Sequence, residues 1–282
     1  MDAVLLALAS AALFGAMTVA LRPALARGAG AEAGALWTIA SAAVVAALAA
    51  ALRLHWEAAG LWWFAAVGVL GPGLSQLLFT LAVRDAGPAR ASVTVGTAPL
   101  FSVAIALLAL GEPLVAGALA GAVLIVAGGL LLAGERGRPA HVRPIGLLFA
   151  LCSTLVFATR DNLVRHLSLD TDVGPQLAAA ATLAGGGLAI AVWLALARRP
   201  LEPRAWRRFA PAGVFFGLSY VFLFEAYERG RVSVVSPLVA TESLFGVLLS
   251  ALFLRRVELV GARLAVGAAL IVAGGVLIGA SR

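Results

Sequence analysis

The residue with the clearest potential for chemistry in this chain is Glu242, the single ionisable residue of the apolar run from 232 to 254. An ionised side chain at membrane depth costs roughly 3 kcal/mol or more unless it faces a cavity or an oppositely charged partner. We therefore expect Glu242 to face the protein interior. There it can bind a proton, the ammonium group of a small molecule, or each in turn. The alternative is a buried hydrogen bond or ion pair that fixes helix packing.

A second group of charges, Arg160, Asp161 and Arg165, follows an apolar run of fifteen residues. Fifteen residues make about 22 Å of helix, which is less than the roughly 30 Å of a hydrocarbon core, so these charges are expected inside the edge of a membrane. Asp161 and Arg165 have the four-residue spacing of a helical pair. We interpret the group as an interfacial ion pair, with a charged gate or a carboxylate-binding arginine as the alternative.

Polar and aromatic side chains at similar depths in other apolar runs are candidates for lining a cavity. A single hydroxyl or amide in a membrane helix is most often a packing hydrogen bond, but several together mark where a polar cavity can form. The polar candidates are Thr241, Ser243, Gln76, Thr80, Thr97 and Tyr220. Aromatic rings can form apolar walls for a ring or an aliphatic tail, and the candidates are Phe14, Phe79, Phe157 and Trp37.

Metal, disulfide and enzyme chemistry are disfavoured by the sequence. Cys152 is the single cysteine and the three histidines are dispersed, so neither a disulfide nor a metal cluster is expected. We find no nucleotide-binding glycine loop, no hydrolase serine motif and no paired catalytic carboxylates. The sequence therefore predicts no cofactor and no catalytic residues.

The composition indicates an integral membrane protein. Hydrophobic residues make up 62% of the chain and charged residues 12%, with a mean hydropathy of +1.02, whereas soluble proteins have about 25% charged residues. Apolar runs long enough to cross a bilayer predict ten spans, at 3–21, 33–52, 61–83, 89–110, 114–133, 145–164, 175–197, 209–227, 232–254 and 259–280.

The chain contains an internal repeat. The sequence Thr-Ala-Pro-Leu-Phe at 97–101 returns as Thr-Glu-Ser-Leu-Phe at 241–245, and Ile-Val-Ala-Gly-Gly at 125–129 returns at 271–275. Self-similarity over this length indicates two copies of one structural unit, which we place at 1–138 and 139–282. Met17 and Thr18 occupy the places of Arg160 and Asp161 in the first copy, so the charges break the repeat.

An odd number of spans in each half predicts an inverted repeat, because the second copy must enter the membrane from the opposite side. The expected fold is therefore an all-α polytopic membrane protein with ten transmembrane helices in two inverted five-helix repeats. This architecture is typical of secondary transporters, whose sites lie near helices interrupted by proline or glycine. Pro99 and Pro237 predict such interruptions in the fourth and ninth spans.

Glycine spacing predicts close helix contacts. Gly117 and Gly121 form a small-xxx-small pair, as do Gly275 and Gly279, and such pairs let helix backbones approach closely. We interpret them as contacts within a monomer, with a homodimer face as the alternative.

All 21 basic residues are arginines, and their distribution predicts an orientation. Fifteen lie in the loops that follow odd-numbered spans and six lie on the opposite side. Because positive residues favour the cytoplasmic side, the count places both termini outside the cytoplasm.

The proline of the fourth span, the sequence Leu-Gly-Glu-Pro-Leu at 110–114 and the glycine-spaced fifth span together resemble the EamA domain of the drug/metabolite transporter superfamily. The echo at 241–275 is similar to its second copy, with Ser243 in the place of Pro99. The resemblance implies a ten-helix carrier whose relatives move amino acids, other small metabolites or drugs, often as exporters. It also implies cytoplasmic termini, the opposite of what the arginine count predicts.

These observations predict a multi-pass secondary carrier of the cell inner membrane, monomeric or homodimeric, that moves a small organic solute by alternating access. The resemblance favours export of metabolites such as amino acids. A proton-coupled exporter of lipophilic cations, in which Glu242 binds drug and proton in competition, is the alternative. A membrane scaffold without transport activity is the alternative from another class.

Overall fold

The computed structural model of the protein describes residues 2–28, 30–53, 57–101, 116–133, 142–230, 235, 238–254 and 261–281. Within these ranges the chain is helical and contains no β-strand, which confirms the all-α class. The helices are α1 Ala3–Ala26, α2 Ala31–Arg53, α3 Leu61–Ala86, α4 Pro88–Val95, α5 Ala116–Ala133, α6 Pro144–Asp170, α7 Pro175–Leu196, α8 Trp206–Arg229, α9 Glu242–Phe253 and α10 Ala262–Ala280.

Seven helices in the described residues are long and apolar enough to cross a membrane. They are α1, α2, α3, α6, α7, α10 and the segment Pro203–Arg229, in which a 3-10 turn at Pro203–Ala205 leads into α8. The polytopic membrane class is therefore confirmed. The fourth and ninth predicted spans run beyond the described residues, and Pro237 and most of the joint between the halves lie outside them. The count of ten spans stays a prediction.

The exterior of the helix assembly is strongly apolar. Leu52, Leu130, Leu196 and Phe253 are each at least two-thirds exposed, although large apolar surfaces are rare on soluble proteins. Such exposed side chains are compatible with contact to lipid tails. The interior contains mainly small and aromatic residues.

Glycines bring α5 and α10 into close contact. A Cβ atom at Gly121 would lie 2.5 Å from the carbonyl oxygen of Gly274, and one at Gly274 would lie equally close to that of Gly121. Gly128 meets Gly267 in the same way. Gly121 therefore acts in packing within the monomer, because only glycine permits this backbone approach.

The two halves contact each other through two equivalent pairs of helices, related by the repeat. The Ser10 hydroxyl of α1 donates to the Ser219 carbonyl of α8 at 2.9 Å, and the Ser153 hydroxyl of α6 donates to the Ser75 carbonyl of α3 at 2.8 Å. In the same pattern, α2 packs against α8 and α7 packs against α3. The helices of each half are therefore held mainly by helices of the other half.

The helix α3 changes geometry in its middle, where residues Val69–Ser75 form a π-helix. Pro72 lies in this segment and provides no backbone N–H, so it interrupts the α-helical hydrogen-bond ladder. Short π-helical segments are frequent at functional sites. The flanking Gly71 and Gly73 are buried, which leaves room for neighbouring side chains.

Two breaks interrupt the fourth and ninth apolar runs at equivalent places. Regular helix α4 ends at Val95 and a turn at Gly96–Thr97 follows, while a turn at Ala240–Thr241 precedes α9. The hydroxyls of both threonines donate to the carbonyl three residues earlier, which stabilises the turns. The first break lies two residues before Pro99.

Candidate functional site

A small cavity lies in the centre of the protein, between helices of both halves. Its volume is about 30 Å³, which is room for about two water molecules. The polar lining comes from α1, α6, α8 and α9, and apolar side chains close the remainder. The lining residues are Ser10, Phe14, Val95, Ala98, Phe157, Arg160, Asp161, Ser219, Tyr220, Leu223, Val239, Ala240 and Glu242.

Arg160 is the buried cation of this cavity, and its side chain is 5% exposed. A Cβ atom at Gly71 would lie 2.6 Å from Cγ of Arg160, so the glycine in the π-helix makes room for the arginine stem. The guanidinium carbon lies 5.3 Å from the ring centre of Phe157 and 4.8 Å from that of Tyr220. Both distances are within the range of cation–π attraction, so both rings help to orient the charge.

Asp161 is the counter-ion of Arg160. Nη2 of Arg160 lies 2.9 Å from Oδ1 of Asp161, yet this oxygen makes no hydrogen bond of acceptable geometry. Consecutive residues of a helix do not face each other, which explains the poor alignment. The pair therefore provides charge compensation without a well-directed hydrogen bond.

Arg165 does not pair with Asp161, contrary to the expectation from their spacing. Nη1 of Arg165 donates to the carbonyl of Tyr227 at 2.6 Å, near the end of α8. Arg22 makes the equivalent contact in the first half, to the carbonyl of Arg84 at 3.0 Å near the end of α3. Cations interact favourably with the carbonyls at helix C-termini, so Arg165 ties two helices together outside the cavity.

Four polar atoms of residues that line the cavity have no well-aligned hydrogen-bond partner among the described residues. They are Nε and Nη1 of Arg160, Oδ1 of Asp161 and the hydroxyl of Tyr220. Buried polar atoms almost always have a partner, and each exception needs an explanation. Here the atoms belong to residues that line the same cavity, so a polar guest can satisfy them.

Glu242 is the first residue of α9 and is 6% exposed. It therefore lies at the break in the ninth apolar run, and not within a continuous helix. Its carboxyl interacts electrostatically with Asp161 and Arg160. A helix N-terminus favours negative charge by about 0.3–1 kcal/mol at an exposed site and by more when partly buried. The break thus stabilises the Glu242 carboxylate through the N-terminus of α9, whereas the middle of a continuous helix offers no such stabilisation.

An aromatic cluster packs beside the charges. The ring centre of Phe14 lies 5.2 Å from that of Phe79, 5.8 Å from that of Phe157 and 6.0 Å from that of Phe216. Phe14 and Phe157 belong to the first helix of each half and line the cavity. Phe79 lies behind them, so it supports the wall without forming its surface.

The remaining predicted site residues do not line the cavity, and hydrogen bonds to their own helices or turns account for several of them. The Thr80 hydroxyl donates to the carbonyl of Gln76, and the Gln76 amide contacts the sulfur of Met17. Ser243 donates to Ala240 and packs against Gly96. Thr97 and Thr241 bond within the two turns.

Trp37 is also misplaced by the sequence prediction. Its indole N–H donates to the carbonyl of Glu202 at 3.0 Å, in the loop between α7 and α8. An indole has a single polar donor, and this loop provides its acceptor, so Trp37 anchors a helix end. It does not contribute a wall of the cavity.

Ser10, Ser219 and Gly71 contribute to the site, although they are not among the predicted site residues. The two serines line the cavity and their oxygens lie 3.0 Å apart. A signal for them exists in the sequence, because Ser10 is the counterpart of Ser153 and Ser219 is the counterpart of Ser75 in the repeat. The role of Gly71 depends on the path of the Arg160 stem, which no local sequence pattern reveals.

The fold and the cavity define a polytopic helical membrane protein with a charged site between two similar halves. The model of the EamA-like transporter family matches residues 1–134 and 144–280. The chain therefore belongs to this family, with two EamA repeats, and is a membrane transporter of the drug/metabolite type. This confirms the resemblance seen in the sequence.

Solved structures share the fold. One crystal structure, described only as that of a protein, aligns with a TM-score of 0.70 over 98% of this chain and 95% of the other, at 21% sequence identity. At this identity the likeness concerns the fold alone. No curated protein matches the chain.

Proposed function

We propose that this chain is a secondary transporter that exports small organic metabolites such as amino acids across the inner membrane by alternating access of two inverted five-helix halves, 1–138 and 139–282. The observation that carries the proposal is the central cavity, where Arg160, Asp161 and Glu242 meet between helices of both halves. Membership of the EamA-like family supports transport, and the sequence resemblance supports export.

The charges of the cavity support recognition of a cationic group. Arg160, Asp161 and Glu242 sum to one negative charge when all three are ionised. An uncompensated charge in a buried site is costly. A proton on Glu242, or a solute with a net positive charge, restores neutrality, which is the chemistry of a coupling or binding acid.

The size of the cavity supports a mechanism with a conformational change. A volume of about 30 Å³ is far below the roughly 300–1,000 Å³ of sites that hold small ligands. The helices must therefore move apart before an organic solute enters. The turns at Gly96–Thr97 and Ala240–Thr241 lie beside the cavity, and discontinuous helices of this kind typically form the substrate sites of secondary transporters.

A second candidate function is proton-coupled export of lipophilic organic cations. The specific observation in its favour is that Glu242 lines the same cavity as the aromatic residues Phe14, Phe157 and Tyr220. Aromatic faces and a carboxylate together suit a hydrophobic cation. In this mechanism Glu242 binds either the proton or the drug.

The test is flux into proteoliposomes that contain the purified wild type, Glu242→Gln or Glu57→Gln. The panel comprises radiolabelled amino acids and organic cations, each with and without an imposed proton gradient. We expect gradient-driven flux of at least one solute in the wild type and its loss in Glu242→Gln, because glutamine has the shape of glutamate but cannot exchange a proton. Glu57 is an exposed loop acid, so Glu57→Gln loses the same charge outside the cavity and should keep wild-type flux.

Three other results would contradict the proposal in different ways. Unchanged flux in folded Glu242→Gln assigns this acid to helix packing. Flux of organic cations alone selects the second candidate. Absence of any flux or solute binding in the wild type favours the membrane scaffold.

A further inference from the structure

Two hydrogen-bond donors of Arg160 lack a partner in the described part of the chain, and they indicate which class of solute the protein binds if it has the proposed transport function. Arg160 is 4% exposed, and two of its three nitrogens, Nε and Nη1, have no hydrogen-bond partner among the described residues. A guanidinium cannot lose its charge at any ordinary pH. These two donors are therefore permanent, and none of the described residues provides a well-aligned acceptor for either of them.

The chemical group that these donors suit is a carboxylate. A guanidinium binds a carboxylate through two parallel N–H donors on one edge, and both such edges share Nη2. In this structure Nη2 is the nitrogen that lies 2.9 Å from Asp161. A carboxylate that binds Arg160 through two donors must therefore take the place of Asp161 at Nη2.

The contact with Asp161 is well suited to such an exchange. The two residues are consecutive in α6, and the close oxygen accepts no well-aligned hydrogen bond. The arginine itself is fixed independently of Asp161, because its stem lies against Gly71 and its head against Phe157 and Tyr220. Displacing the aspartate therefore leaves the guanidinium in place.

We propose that the solute carries both a carboxylate and an ammonium group, and that this zwitterionic head inserts between Arg160 and Asp161, its carboxylate on Arg160 and its ammonium group on Asp161. Each member of the pair then keeps an opposite charge, and the net charge of the cavity does not change. A solute with only a carboxylate leaves Asp161 without compensation. A solute with only an ammonium group leaves the donors of Arg160 without an acceptor.

The first half of the chain supplies a matched variant for the test. Met17 and Thr18 occupy the positions of Arg160 and Asp161 in the repeat, so Arg160→Met/Asp161→Thr removes both charges together and copies residues that this fold already accommodates. Removing Arg160 alone leaves a buried, unpaired carboxylate, which is strongly destabilising. The double variant avoids that penalty.

The experiment measures flux of three related solutes in proteoliposomes: the amino acid with the largest wild-type flux, its amide and the amine formed by removing its carboxyl group. We expect the wild type to prefer the amino acid over both analogues. In the double variant, flux of the amino acid should fall by about 10- to 100-fold, the effect of losing hydrogen bonds to a charged group. Flux of the amine should fall less, because the amine loses the contact of its ammonium group with Asp161 but has no carboxylate contact to lose, so the preference for the amino acid disappears.

Two results overturn the inference while the transport function stands: a wild type that moves the amine as well as the amino acid, and a folded double variant that keeps the preference. A wild type that moves none of the amino acids or organic cations tested overturns the transport function itself. If the double variant fails to fold, Arg160→Lys decides. Lysine keeps the charge but lacks the planar fork, so we expect it to lose most of the preference, and an unchanged preference rejects the inference.

Discussion

The cavity is asymmetric at the level of single residues, although the chain is built from two similar halves. Arg160 and Asp161 lie in the second copy, and Met17 and Thr18 hold their places in the first. Glu242 likewise stands where the first copy has Ala98. Both differences bring charge into the cavity from the second half, whereas the first half contributes Ser10 and the apolar residues Phe14, Val95 and Ala98. Such a site can orient a molecule that has one polar and one apolar end.

The ring of Tyr220 should control how firmly Arg160 is held. It lies 4.8 Å from the guanidinium carbon, and a buried cation–π contact contributes about 0.5–2 kcal/mol. Tyr220→Leu should therefore raise KM for the best amino acid by about 2- to 30-fold, since 1.36 kcal/mol is a factor of ten. The measurement is a concentration series in proteoliposomes for the amino acid and for its amine.

The matched control is Tyr220→Phe, which keeps the ring and removes the hydroxyl. It should retain the wild-type ratio of the two KM values. An equal rise for amine and amino acid in Tyr220→Leu would mean that the ring shapes the cavity in general and does not position Arg160.

At the level of elements, helix breaks decide where the charges can lie. The turns at Gly96–Thr97 and Ala240–Thr241 interrupt two apolar runs at the same point of the repeat, and the π-helix at Val69–Ser75 interrupts a third. The second turn places Glu242 at a helix N-terminus, and the π-helix supplies Gly71 for the stem of Arg160. Irregular backbone thus provides both the space and the local dipole that the charged residues need.

The two interrupted helices pack against each other where α4 meets α9. We expect a larger side chain at this contact to destabilise the fold. A Cβ atom at Gly246 would overlap the side chain of Ser92, which is fully buried. Gly246→Ala should therefore lower the free energy of unfolding by about 1–3 kcal/mol, the usual cost of overpacking. The measurement is thermal unfolding of the purified protein in detergent.

A compensating change tests the same contact. Ser92→Gly/Gly246→Ala should be no less stable than Ser92→Gly alone, because the serine side chain that obstructs the alanine is gone. Gly129→Ala is the neutral reference, since a Cβ atom there meets nothing within 4 Å. Equal losses at Gly129 and Gly246 would show that helix packing where α4 meets α9 is not the cause.

The sequence predicts that Glu242 faces the interior, but it favours an interfacial position for Arg160 and Asp161. The structure places all three residues at one cavity, because a buried ionised side chain needs an oppositely charged neighbour. Threonine hydroxyls carry no such constraint, because Thr80, Thr97 and Thr241 can satisfy themselves on their own helices. The partner of Asp161 is also unpredictable from spacing, since Arg165 is drawn away by a carbonyl of α8.

At the scale of the whole molecule, each half is incomplete without the other. The first helix of each half bonds to the third helix of the other half, through Ser10 with Ser219 and through Ser153 with Ser75. The fifth helices of the two halves, α5 and α10, form a separate glycine-packed pair. The cavity therefore lies between the halves, and relative motion of the halves would change its shape directly.

Inversion of the halves makes a prediction about two equivalent loops. Glu57 lies between the second and third helices of the first half, and Glu202 lies between the corresponding helices of the second. Both are exposed. If the repeats are inverted, these loops lie on opposite sides of the membrane. Because Glu202 is surrounded by the arginines at 198, 199, 204, 207 and 208, the positive-inside rule places it in the cytoplasm and Glu57 outside.

Single cysteines at these positions, in a Cys152→Ser background, provide the measurement. A membrane-impermeant maleimide should label Glu57→Cys in intact cells and should label Glu202→Cys only after the membrane is opened. The reverse pattern keeps the inversion but places the termini in the cytoplasm, as the family resemblance implies. Labelling of both cysteines from the same side contradicts the inverted repeat, and with it a mechanism in which two opposed halves expose one cavity in turn.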